Sequence, residues 1–172
     1  VTELDEIPVG AFEFGKNWSS FLAGINESRI EQSIAALRSM LGVKSLVGMR
    51  FLDLGCGSGL SSLAAYRLGA EVVSLDYDAN CVRCAETLRE RFASPDRWSI
   101  AQGSVLDAGS MEKLSKADIV YSWGVLHHTG NMKQAIELAS QRVLPSGLLF
   151  IAIYNDQGGA SHRWLRIKRI YQ

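Results

Sequence analysis

The chain is short of several things: among its 172 residues there are only three cysteines, no net charge and no long apolar run. The three thiols, Cys56, Cys81 and Cys84, are too few for the disulfide framework of a small secreted domain, and they point to a reducing, cytoplasmic compartment. The balance of 18 basic against 18 acidic residues speaks against a generic polyanion binder. The longest apolar stretch, Leu148 to Tyr154, falls far short of the ~20 residues that span a bilayer. No signal peptide, Arg-rich leader, internal repeat or low-complexity tract is visible. What is there is 47% hydrophobic and 21% charged, too apolar for a disordered chain and the right length for one domain. Charge is uneven along the chain: in the last twelve residues Arg163, Arg166, Lys168 and Arg169 stand without an acid.

Residues 1–25 form an acidic, then aromatic arm with Phe12, Phe14, Trp18 and Phe21. The domain proper is expected over 26–172. Asn26 is a helix N-cap, and Ile30, Ile34, Leu37 and Leu41 recur at helical spacing behind it. Strands and helices then alternate. The pattern predicts strands over 49–54, 71–75, 98–102, 118–123 and 148–154, and helices over 60–68, 79–92 and 132–143. Gly69 closes the first of these helices, Pro145-Ser146-Gly147 reads as a turn, and a basic helix begins near Ser161. Near-continuous apolar strands between helices imply an α/β, doubly wound, mostly parallel sheet covered on both faces. Ligands in such sheets bind at the carboxyl ends of the strands.

The most informative segment is Asp53-Leu54-Gly55-Cys56-Gly57-Ser58-Gly59, between a strand and a helix. Glycines there permit a tight turn and close approach of a ligand to the backbone. Leu60 stands where a dinucleotide fingerprint has its last glycine, which argues against a nicotinamide-dependent dehydrogenase; the turn suits a nucleoside with an amino-acid tail. Asp76 ends the second strand, where an acid can accept hydrogen bonds from both hydroxyls of a ribose.

Leu52 to Gly59, Asp76, Gly103-Ser104-Val105 and Asp118 to Thr129 together resemble the class I S-adenosylmethionine-dependent methyltransferases. The resemblance covers residues 26–155. It implies that Gly55, Gly57 and Gly59 border the methionine part of the cofactor, that Asp76 holds the ribose, and that Ser104 and Val105 meet the adenine, with Trp123 lining that pocket. Asp53 and Cys56 of the turn, and Tyr77 beside Asp76, are counted with the cofactor-binding set. Within the family, Ile25-Asn26-Glu27-Ser28-Arg29 is similar to the helix start of the benzoquinol O-methylases, which implies that Arg29 pairs with the cofactor's carboxylate, a bidentate and strong contact. Family members complete the sheet with two further strands, which this chain is expected to lack.

Methyl transfer from a sulfonium asks the protein chiefly to align the acceptor, and a base helps when the nucleophile is a hydroxyl. His127 and His128, two of the chain's three histidines, leave the fourth strand at its carboxyl end and are the catalytic candidates. Tyr154 and Asn155 after the fifth strand, with Trp18 from the arm, are the acceptor-side candidates. The benzoquinol O-methylases have two acids and a His in the loop after the fourth strand that are associated with a metal. Gly124 and His127 stand where those acids would be, so no metal is expected. Cys81 and Cys84 are expected to face the core rather than a zinc ion.

The expectation is therefore a cytoplasmic methyltransferase using S-adenosylmethionine to methylate a small molecule, most readily at oxygen. The neutral charge and single basic helix weigh against a tRNA-modifying methylase. A cofactor-binding scaffold without turnover is the rival from another class.

Overall fold

Asn26 sets the start of helix α1 (Glu27–Leu41): its side-chain oxygen accepts the Arg29 N–H at 3.0 Å, and Gly42 ends the helix in the left-handed conformation. The computed structural model describes residues 21–154. Within them the order continues as β1 (Arg50–Leu54), α2 (Leu60–Arg67), β2 (Glu71–Asp76), α3 (Ala79–Phe92), β3 (Trp98–Gln102), α4 (Ala108–Glu112), β4 (Ala117–Trp123), α5 (Met132–Ser140) and β5 (Val143–Ala152). The strands lie in the order β3-β2-β1-β4-β5, and every neighbouring pair is parallel.

The strands are apolar on both sides because both faces are covered. On one face Phe51, Ile119 and Tyr121 pack with Ile30, Ile34 and Leu37 of α1, Leu63 of α2 and Leu88 of α3. On the other, Leu52, Leu54 and Val120 pack with Met111 of α4 and with Ala135 and Ala139 of α5. Residues alternate between faces along each strand, so neighbouring positions of β1 feed different cores. The strand order reverses between β1 and β4, with α2 packed on one face and α5 on the other, and in such sheets ligands bind at the carboxyl ends of the strands around that point.

The sequence reading misplaces three things. The helix predicted to reach 143 ends at Ser140, and Val143 already pairs with Ala117. Pro145-Ser146-Gly147 is not a turn ahead of the fifth strand but an irregularity inside it, where the register jumps from Ala117↔Val143 to Ile119↔Leu148. Gly147 allows this because a Cβ there would stand 2.7 Å from the Asp118 carbonyl. The short α4 escaped the sequence reading; Asp107 caps it by accepting the N–H groups of Gly109 and Ser110, and the Arg142 guanidinium donates to the carbonyls of Met111, Glu112 and Leu114 at its end. Residues 1–20 of the arm, with Phe12, Phe14 and Trp18, and the basic helix near Ser161 lie outside the described residues, whereas Phe21 packs against the first core. No helix among the described residues is long and apolar enough to cross a membrane.

Candidate functional site

The turn after β1 is held from below by β2. Gly55 N–H and Cys56 N–H both donate to the Leu75 carbonyl, at 2.7 and 3.1 Å. Gly55 has φ +77, and a Cβ on it would sit 2.5 Å from the methyl groups of Val125; the loop after β4 rests directly on this glycine. Gly59 has φ +79, and a Cβ there would meet Ala85 of α3 at 2.8 Å. An L side chain at either position meets both left-handed strain and a steric barrier.

Asp76 closes the turn. One carboxylate oxygen accepts the Gly57 N–H at 2.8 Å and the other accepts the Asp78 N–H at 2.9 Å. A carboxylate offers about four lone pairs; the Cys81 thiol also bonds to this one, and acceptor capacity remains beyond these three donors. Burial pushes the Asp76 carboxyl above the usual range, opposed by those two N–H bonds. Tyr77, next in sequence, is 78% exposed, and its carbonyl accepts from Gln102.

Asp53 is 2% exposed, beneath the turn rather than on its surface. Burial, with the charge of Asp76 adding to it, raises its carboxyl to about 7, against the lowering effect of the Ser62 hydroxyl bonded to it at 2.6 Å. Cys56, Cys81 and Cys84 are free and buried. Burial pushes the Cys81 thiol up to about 12 and the Cys84 thiol to about 11, and the Cys56 thiol also goes up. All three are thus protonated packing groups.

At the other strand ends, Ser104 turns its hydroxyl onto its own loop, accepting the Leu106 N–H at 3.1 Å, and the Val105 side chain is buried in the second core. Arg29 is exposed in the first turn of α1, with its guanidinium against Gly24. No hydrogen bond among the described residues ties that guanidinium to the glycine turn.

Trp123, expected to line the adenine pocket, is the last residue of β4. Its ring stacks on Phe150 of β5, with centroids 6.3 Å apart and planes 10° apart, while Ser104 and Val105 follow β3 at the opposite edge of the sheet. Alternation along the strand explains the stacking. Positions 121 and 123 share a face, and Tyr121 is in register with Phe150, so both rings of β4 lean toward β5 (Tyr121–Phe150, 5.4 Å).

His127, His128 and Tyr154 form one cluster. The two imidazoles lie 3.9 Å apart between centroids, and Tyr154 meets His127 edge-on at 4.9 Å. Both ring nitrogens of His127 are buried without a hydrogen-bond partner; burial and the neighbouring His128 lower its basicity. His128 and Tyr154 are exposed. A Cβ at Gly124 would stand 2.5 Å from the Tyr154 hydroxyl, so that hydroxyl occupies the space where the resemblance places an acid. Among the described residues, no three His, Cys, Asp or Glu side chains converge as a metal site. Trp18 and Asn155 lie outside the described residues.

The sequence reading missed Ser62, Ser74 and Trp98, which form a buried hydrogen-bonded chain ending at Asp53. The available signal was a serine inside the apolar strand Val72-Val73-Ser74-Leu75, since a buried hydroxyl needs a partner.

The family model described as a methyltransferase domain matches residues 26–170. The ubiquinone biosynthesis O-methyltransferase of Methylobacterium sp. (strain 4-46) is 34% identical over 119 residues, which is 69% of this chain and 46% of that protein. The protein of the same description from Agrobacterium fabrum (strain C58) is 32% identical over 113 residues, covering 65% and 43%. The chain thus spans about half the length of these relatives. Among solved structures, magnesium protoporphyrin IX methyltransferase from Synechocystis PCC 6803 with bound S-adenosylhomocysteine superimposes with a TM-score of 0.67 at 17% identity, over 92% of this chain and 74% of that one. A methyltransferase from Geobacter sulfurreducens, in complex with S-adenosyl-L-homocysteine, gives 0.57 at 26% identity over 70% and 47%.

Proposed function

The chain belongs to the methyltransferase-domain family, and from that membership we propose that it is an S-adenosylmethionine-dependent methyltransferase acting on a hydroxyl of a small-molecule acceptor. The observation that carries the reading is Asp76: an acid at the end of β2, locked to the glycine turn through the Gly57 N–H, with acceptor capacity left for a ribose diol. The O-methyltransferase relatives favour oxygen as the acceptor atom.

The residues fit such a cofactor. Asp76 receives the ribose hydroxyls, the Gly55–Gly59 turn backs the amino-acid end with Asp53 beneath it, Arg29 pairs with the carboxylate, and the loop at Ser104 and Val105 borders the base. The cofactor supplies a methyl group made electrophilic by its sulfonium. The protein's task is alignment, which can lower such a barrier by ~7–11 kcal/mol. The stacked rings of Trp123 and Phe150 with Tyr154 offer an apolar wall for the acceptor next to the histidines. His128, exposed at the end of β4, takes the acceptor's proton. His127, kept neutral by burial, braces it. The setting we assign is the cytoplasm, in keeping with three free thiols.

The test is incubation with S-adenosylmethionine and a panel of hydroxylated small molecules, reading S-adenosylhomocysteine released. Turnover with at least one acceptor is expected. Because a positioned base contributes ~100-fold or more, His128→Ala should lower kcat by about that factor and leave cofactor affinity alone. Equal turnover by the variant would remove His128 from the chemistry.

A further inference from the structure

Beneath the glycine turn runs a buried chain of hydrogen bonds that joins three elements. The Trp98 indole N–H of β3 donates to the Ser74 hydroxyl of β2 at 2.8 Å. Ser74 and Ser62 of α2 share a bond of 2.7 Å, and Ser62 donates to a carboxylate oxygen of Asp53 on β1 at 2.6 Å. Trp98, Ser74, Ser62 and Asp53 are all buried.

The direction of this chain follows from chemistry. An indole nitrogen only donates, so Ser74 must accept from Trp98. Its own proton is then free for Ser62, which passes its proton to Asp53. Every hydrogen points toward the carboxylate. Were Asp53 protonated on the oxygen facing Ser62, the bonds would reverse: Ser62 would donate to Ser74, which would then accept twice and leave its own O–H without a partner in a buried site. An orphaned buried donor is costly. The arrangement therefore keeps the oxygen facing Ser62 an acceptor, and the hydrogen bond that it receives favours the ionised carboxylate, although burial works against that charge.

We propose that Trp98, Ser74 and Ser62 act as positioning residues, a one-way donor relay that holds a negative charge at Asp53 beneath the turn for the cationic amino-acid end of the cofactor. This rests on the cofactor reading given above. The groups that share Asp53's field are Asp76 from β2, Cys56 from the turn and the Tyr121 hydroxyl from β4. None of the three supplies a positive charge, so a bound cation would be the natural counter-charge. Cofactor affinity should accordingly rise with pH as Asp53 ionises.

The experiment follows two readouts across pH 5–9 in the full protein: the Asp53 carboxyl carbon by NMR, and the affinity for S-adenosylmethionine by calorimetry. In the wild type the two should share a midpoint. Ser62→Ala should move both midpoints upward by about one pH unit, since a hydrogen bond to a charged group has roughly that weight. Trp98→Phe keeps the ring, removes the first donor and should move both midpoints the same way by less; it also decides the matter if Ser62→Ala does not fold. Midpoints unmoved in the folded variants would overturn the relay while leaving cofactor binding intact. Wild-type protein that binds no cofactor at any pH would overturn the cofactor reading itself, and with it the relay's purpose, even if the Asp53 carbon still shifts in Ser62→Ala.

Discussion

Asp76→Ala is expected to weaken S-adenosylmethionine binding by ~100-fold or more. The side chain has two jobs in this geometry. It accepts the N–H groups of Gly57 and Asp78, which fixes the turn against the end of β2, and it keeps acceptor capacity for the ribose. Hydrogen bonds to a charged group contribute roughly 1.5–3 kcal/mol each, and 1.4 kcal/mol is about tenfold in affinity, so losing two from the ligand already gives that factor. Asp76→Asn keeps one acceptor oxygen and should fall between alanine and the wild type. Calorimetric titration of the three proteins checks the order. An alanine variant that binds like wild type would remove the central acid from the site.

Asp53→Asn should have opposite effects on stability and on binding. In the folded chain the Asp53 proton is held up to about 7, whereas in the unfolded chain it leaves near 3.8. The stability this contributes is complete below about pH 4 and is lost as pH rises through 7. Asparagine is neutral throughout. Its advantage over aspartate should therefore grow by about 2–3 kcal/mol between pH 5 and pH 8. For a chain of this size that is a Tm difference widening by roughly 5–10 °C. Over the same interval the variant should bind S-adenosylmethionine more weakly than the wild type, because the charge that costs stability is the one that attracts the cofactor. Melting curves at both pH values test the first half. A Tm gap that stays constant with pH would show that Asp53 does not titrate in this range.

Much of this was written in local pattern. The apolar runs at 50–54 and 117–123, the cap at Asn26 and the glycine at 69 each act within one element, so the alternating fold and the glycine turn were readable without tertiary information. What failed depended on neighbours far away in the chain. Pro145-Ser146-Gly147 carries every local mark of a turn, yet its backbone is drawn into β5 by the Ala117↔Val143 pair. Trp123 could be placed at a strand end from sequence, but only the adjacency of β4 and β5 says that its ring meets Phe150. Asp53 was counted with the cofactor-binding set, and nothing local shows that Ser62, Ser74 and Trp98 join it in a buried hydrogen-bonded chain. Those three come from different elements, and only the parallel packing of β1, β2 and β3 under α2 brings them together.

The claim on which everything else depends is that the glycine turn after β1, with Asp76 at the end of β2, binds S-adenosylmethionine. Calorimetric titration of the wild-type protein with S-adenosylmethionine, and with S-adenosylhomocysteine in a second cell, tests it with the fewest assumptions. The expected result is saturable, micromolar binding of both at one site per chain. A folded protein that gives no saturable heat with either ligand would contradict the account.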